Sequence, residues 1–179
     1  MLITSAILVA IAIYSKVFKN IKLKDLPYIA LIGLIITLHW LTFYGAIKYS
    51  NVSITLSCFS SVALFTAFLD PLIHKRPVSK LELLLGLMVI VGIYLIFAFQ
   101  QLYATGIILS LLSAFLGALF STMNKSVVMK HSPLLVTTLE LSSGFIWLTL
   151  LLPLYVYLFP VTKTMPDTLD WIYLFLLSF

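Results

Sequence analysis

Seven apolar runs divide the chain, and five of them are long enough to cross a bilayer. A spanning helix needs about 20 mostly apolar residues. Residues 26–49, 53–73, 81–99, 103–128 and 134–159 meet that length, and each predicts a helix. Breakers separate them: Ser50-Asn51, the stretch from His74 to Pro77, and Gln100-Gln101, with Pro160, Pro166 and Asp167 after the last long run. Residues 1–15 and 171–179 are apolar but short. The first makes a poor signal peptide, because its lysines follow the apolar run instead of preceding it. Both short runs are expected to be parts of spans of a longer protein. Connections this brief make consecutive helices antiparallel neighbours. The fold class is therefore all-α: a polytopic helical membrane protein with five complete spans and a partial one at each end.

Charge sets the orientation. The linker at 16–25 holds Lys16, Lys19, Lys22 and Lys24, the one at 74–80 holds Lys75, Arg76 and Lys80, and the one at 125–132 holds Lys125 and Lys130. The linkers between them carry only Lys48 and Lys163. Nine of the eleven basic residues thus fall on one side. Basic residues beside span ends are retained in the cytoplasm. These three linkers are expected to be cytoplasmic in a multi-pass protein of the cell (inner) membrane, with the 26–49 helix running outward and the later ones alternating.

Composition agrees. The chain is 62% hydrophobic and 9% charged, against about 25% charged in a soluble globular domain. The net charge of +5 does not call for nucleic acid, since the basic residues sit in short loops beside apolar spans and suit anionic headgroups. Cys58 is the one cysteine and lies inside a span, so neither an intramolecular disulfide nor a cysteine-based metal site is expected.

One internal echo is visible. Asp25-Leu26-Pro27-Tyr28 opens a helix from the cytoplasmic side, and Asp170-Trp171-Ile172-Tyr173 opens another from outside, 145 residues later. An odd number of helices per repeat inverts the second copy, as in many secondary transporters.

Small residues recur every three or four positions on the fourth long run: Gly106, Ser110, Ala114, Gly117/Ala118 and Ser121/Thr122. Such a stripe lets membrane helices approach closely, or walls a substrate cavity on another edge. Ser53, Ser57 and Ser61 form a similar stripe. Ionisable groups at membrane depth cost about 2.5–3.5 kcal/mol near a helix centre on insertion scales, so each is a candidate for function. Glu140 lies six residues into its span and is expected either to meet substrate or to pair with Asn124 or Lys125. His39 sits in mid-span, either lining a site or hydrogen-bonding a neighbouring helix. Trp40, Phe43 and Tyr44 beside it read as packing or as a stacking surface. Asp70 precedes Pro71 near the end of its helix and is expected to pair with His74, Lys75 or Arg76, since an acid at a helix C-terminus opposes the dipole. The candidate substrate-binding residues are thus His39, Trp40, Tyr44 and Glu140, with Asp70 and Asn124 as gating or ion-pair residues. No metal ligands, cofactor motif, phosphate loop or nucleophile elbow is present, and an ATP-driven pump would need a nucleotide domain. The sequon Asn51-Val52-Ser53 lies too close to the bilayer to be glycosylated.

The stretch Leu38-His39-Trp40-Leu41-Thr42-Phe43-Tyr44-Gly45-Ala46-Ile47-Lys48-Tyr49-Ser50-Asn51-Val52-Ser53 resembles EamA-type members of the drug/metabolite transporter superfamily. The resemblance continues through Phe68-Leu69-Asp70-Pro71-Leu72-Ile73 and Gly86-Leu87-Met88-Val89-Ile90-Val91-Gly92-Ile93-Tyr94-Leu95, and more loosely over Ala118 to Lys125 and Thr137 to Glu140. It implies ten helices in two inverted five-helix repeats, both termini cytoplasmic, moving small metabolites by alternating access. On that frame residues 1–100 are a first repeat lacking its first helix and residues 101–179 the start of the second. The family usually carries Glu before the Pro-Leu pair where this chain has Asp70.

The expected function is a secondary-active exporter or exchanger of a small polar or amphiphilic metabolite, not an enzyme. The alternative is a non-transporting structural subunit or an intramembrane enzyme. The partners called for are the lipid bilayer and a small-molecule substrate, with a coupling proton and a homodimeric second copy as options.

Overall fold

The computed structural model describes residues 2–97, 103–158 and 166–176. Eight α-helices occur among them: α1 Leu2–Tyr14, α2 Leu26–Tyr49, α3 Val52–Phe59, α4 Val62–His74, α5 Lys80–Phe97, α6 Ala104–Val128, α7 Pro133–Leu158 and α8 Thr168–Leu176. No strand is found among the described residues. Four stretches are helical, long and apolar enough to cross a membrane: Leu23–Tyr49, Val52–His74, Ala104–Val128 and Pro133–Tyr157. The protein is a polytopic helical membrane protein. The remaining predicted span, 81–99, begins as α5, and its last two positions lie outside the described residues, as do the Gln100-Gln101 break, Pro160 and Lys163.

Local signals explain the boundaries. Asn51 caps α3, its Oδ1 accepting from the Ile54 N–H at 2.9 Å. Pro133 opens α7 at the position where a missing N–H is harmless. At α8 the Asp170 carboxylate accepts from the Asp167 N–H at 2.9 Å, one half of a capping box. Asp25, its counterpart in the internal echo, is engaged differently, as shown below. α4 ends on Lys75 in the left-handed region at φ 53°, and the Lys75 and Arg76 N–H groups both donate to the Pro71 carbonyl.

The span expected at 53–73 is not one continuous helix. It breaks at Ser60-Ser61. The Ser60 hydroxyl donates to the Ser57 carbonyl at 2.6 Å, and the Ser61 hydroxyl to the Cys58 carbonyl at 2.7 Å. The Ser61 and Ala63 amides donate three residues back, not four. Hydroxyls that bond nearby carbonyls compete with the helical ladder and bend it.

The chain divides into two compact units, one of residues 1–34 and 127–179, the other of residues 35–126. In the first, α1 lies along α7, with Ser5 and Ala12 buried and the Ser5 hydroxyl donating to the Leu141 carbonyl at 3.1 Å. The first turns of α2 reach α7 at backbone distance. A Cβ built on Gly33 would stand 2.1 Å from Ser143 Oγ and 2.7 Å from the Glu140 carbonyl oxygen. One turn before, the Trp147 indole N–H donates to the Ala30 carbonyl at 3.1 Å.

In the second unit α6 is the central element. Gly106, Ser110, Ser113, Ala114, Gly117, Ala118 and Thr122 are buried, whereas Ser121 faces outward and leaves the expected stripe. The hydroxyls of Ser110 and Thr122 donate to the carbonyls four residues back, at 2.8 and 2.7 Å, so these polar residues sit in an apolar crossing without loss. Gly106 meets Ser50 at the far end of α2, and Gly117 meets His39 and Phe59. The last turns of α4 and α6 lie together, so these two helices run the same way and α2 runs against α6. That matches the alternation expected from the charge pattern.

Candidate functional site

His39 is the centre of the 35–126 unit. It is 7% exposed. Its Nδ1 lies 2.9 Å from the Ser113 carbonyl oxygen and 3.0 Å from Ser113 Oγ, while that hydroxyl lies 3.2 Å from the His39 carbonyl. The imidazole is thereby fixed to α6 through a single serine. Four aromatic rings surround it: Trp40 at 5.3 Å edge-on, Phe59 at 5.5 Å, Phe120 at 5.6 Å and Phe43 at 6.1 Å. Trp40 and Tyr44 stack on each other, centroids 5.6 Å apart and planes 22° apart, with Phe43 perpendicular to both. Trp40 is 39% and Tyr44 60% exposed. The arrangement is a buried polar ring at the base of an accessible aromatic face. Such a face offers π-surface to a planar or cationic group.

The structure therefore brings His39, Trp40 and Tyr44 into one cluster. Glu140 belongs to the other unit. There it is buried on α7 at the Gly33 crossing, and its carbonyl accepts from Ser143 Oγ at 3.0 Å. Lys125, named with Asn124 as an expected partner of Glu140, donates through Nζ to Asp70 Oδ1 at 3.2 Å. Asn124, half-buried one residue earlier on α6, adjoins that contact in sequence.

Asp70 gathers more partners than its sequence neighbourhood suggested. It is buried, ion-paired with Arg76 through Oδ2, and shares Oδ1 between Lys125 and His74, whose Nδ1 is 2.9 Å away. Lys75, offered by the sequence as a third possibility, caps α4 in the left-handed region, and the pairs formed on Asp70 are with His74, Arg76 and Lys125. Arg76 also donates to Glu82 Oε2 on α5 at 2.8 Å. The hydrogen bond to Glu82, then that to Asp70, holds the guanidinium pKa above its ordinary value. Three side chains thus meet on one carboxylate, and Arg76 carries the cluster on to α5.

Ser126 Oγ completes this cluster at 3.0 Å from His74 Nε2. Ser126, His74 and Asp70 stand in the order that nucleophilic hydrolases use. Two features separate the arrangement from that chemistry. His74 Nδ1 faces Asp70 outside hydrogen-bonding alignment. The backbone N–H groups around Ser126 are consumed by the α6 ladder, leaving none to hold an oxyanion.

A second histidine–carboxylate contact was not anticipated. His131, between α6 and α7, places Nε2 2.9 Å from Asp25 Oδ2 at the start of α2, with the imidazole nearly buried. Its only sequence signal was a histidine in a short basic linker, and its partner lies 106 residues away.

The model of the EamA-like transporter family matches residues 1–98, more than half of the chain. The chain belongs to this family. No curated protein and no solved structure matches it. His39, Trp40, Tyr44 and Asp70 lie within the EamA-like segment, and Asn124 and Glu140 lie beyond it. The EamA-like family is a family of transporters, and the apolar helices agree with that assignment.

Proposed function

We propose that the protein is a secondary transporter that moves a small polar or amphiphilic molecule across the membrane by alternating access, in export or exchange. The observation that carries this reading is the Trp40–Tyr44 stack over His39, an accessible aromatic face with a buried imidazole on a spanning helix of an EamA-like chain. In a soluble protein an exposed stacked pair would be unremarkable. On a membrane helix, with the imidazole held by Ser113, it supplies both apolar surface and hydrogen-bonding capacity to a passing solute. Residues 1–100 are read as the first family repeat and residues 101 onward as the opening of the second, inverted copy. The family match ending at residue 98 supports that boundary.

The test is uptake of an isotope-labelled metabolite extract into vesicles containing the protein, followed component by component. Trp40→Ala and Tyr44→Ala should each raise the half-saturating concentration of the transported component. A lost aromatic contact is worth roughly 0.5–1.5 kcal/mol beyond its area, and stability in detergent should barely change because both rings are exposed. Uptake that is unaltered in both variants would sink this site.

A further inference from the structure

The cluster at the last turns of α4 and α6 holds one buried carboxylate, three nitrogen partners and one hydroxyl, and its parts are not equivalent. Arg76 is anchored twice, to Asp70 and to Glu82. Lys125 meets Asp70 at 3.2 Å, and its side chain is 53% exposed. His74 hydrogen-bonds Ser126 through Nε2, while its buried Nδ1 stands beside Asp70 without a hydrogen bond. A neutral imidazole gains little there. An imidazolium, by contrast, would face a carboxylate at contact distance.

We propose that His74 is the proton-binding residue of the transport cycle, and that its protonation displaces Lys125 from Asp70. The proposal rests on the transporter reading above. Asp70 Oδ1 is the atom shared by His74 and Lys125. Adding a proton to His74 places a third cation on a carboxylate that two already neutralise. The least anchored one leaves. Lys125 is that one: a point charge on a flexible stem, half exposed, whose lost contact water can replace. Arg76 stays because Glu82 holds it as well. The charged and titratable groups around His74 are Asp70 on its own helix, Arg76 on the following turn, Glu82 on α5 through Arg76, and Lys125 on α6. Ser126 accepts from Nε2–H in both states, so the added proton goes to Nδ1, the nitrogen beside Asp70. The α4–α6 contact is thereby loosened by one ion pair for each proton bound.

The experiment measures reductive methylation of Lys125 relative to Lys130, by mass spectrometry on the full chain in detergent, with no substrate present. From about pH 8 to about pH 5.5 the ratio should rise by roughly 1.5-fold to fivefold, the scale of a partly exposed ion pair. In His74→Gln, or His74→Asn if that variant is better behaved, it should stay level. A level ratio in the unaltered protein, or the same rise in both, overturns the proposal. Uptake of the labelled extract into vesicles supplies the second arm. A pH gradient should drive accumulation by the unaltered protein and make no difference to His74→Gln. Gradient-independent accumulation by both proteins overturns the coupling while leaving the transporter reading intact. No accumulation by either, with the methylation ratio rising as expected, overturns the transporter reading and leaves the displacement of Lys125 standing.

Discussion

His131 and Asp25 are joined by a contact of 2.9 Å that ties the turn before α7 to the start of α2, with the imidazole almost sealed from solvent. Removing Asp25 leaves the nearly buried imidazole without its bond, which typically costs about 1–3 kcal/mol, and removing His131 costs less because the Asp25 side chain is 28% exposed. His131→Ala and Asp25→Ala should therefore each lower the melting temperature in detergent, and the double variant should lose less than the sum of the two. Strict additivity would show that the two residues do not interact.

The glycines should divide by what surrounds them. Gly33→Ala places a methyl against Ser143 Oγ and the Glu140 carbonyl, at distances real atoms do not adopt. Overpacking of that kind costs about 1–3 kcal/mol. Gly117→Ala meets Phe59 and His39 at 3.4 and 3.5 Å, ordinary contact distances, and should be tolerated. Gly117→Leu should not, because a bulky side chain must then fit between α6 and α2. Thermal melting of the three variants checks the order. Equal stability of Gly33→Ala and the parent would show that α2 and α7 do not cross where the structure has them.

Glu140→Gln keeps the volume and most of the hydrogen-bonding capacity of a buried acid on a spanning helix. The expected result is lower uptake at every pH, with yield and melting temperature nearly unchanged and the response to a pH gradient retained. Normal uptake would reassign Glu140 as a packing residue at the Gly33 crossing.

Cysteines introduced singly in the 16–25 and 74–80 linkers should react with impermeant reagents only after the cell membrane is opened, and cysteines in the 163–167 linker should react in intact cells. Labelling of the 16–25 linker from outside would reverse the orientation drawn from its four lysines.

The helices were legible because apolar length and breakers such as Ser50-Asn51 and the stretch from His74 to Pro77 act within a few residues of themselves. The paired role of Asp70 was legible for the same reason, since His74 and Arg76 lie within two turns of it. Three features were not. A serine in an apolar run bonds its own ladder or disrupts it according to backbone detail, so Ser60-Ser61 read as helix. The choice of Lys125 between two acids was set by which helix end it meets, which no spacing reveals. Gly33 carried no stripe of its own, because the small residues that make its crossing tight, Ser143 and Gly144, lie on another helix.

The break at Ser60-Ser61 has a mechanical consequence. Downstream of it, α4 and α5 form a stiff hairpin: Leu64 fills the space over Gly86 at one end, and Arg76 fastens Asp70 to Glu82 at the other. Upstream, α3 is held to its own surroundings by the buried residues Ile54, Thr55 and Cys58. At the serine pair the Ser61 and Ala63 amides have already left the regular ladder, so bending there sacrifices the least. The α4–α5 hairpin is therefore built as a lever, with its pivot at the serine pair and its catch, Lys125 on Asp70, at the opposite end.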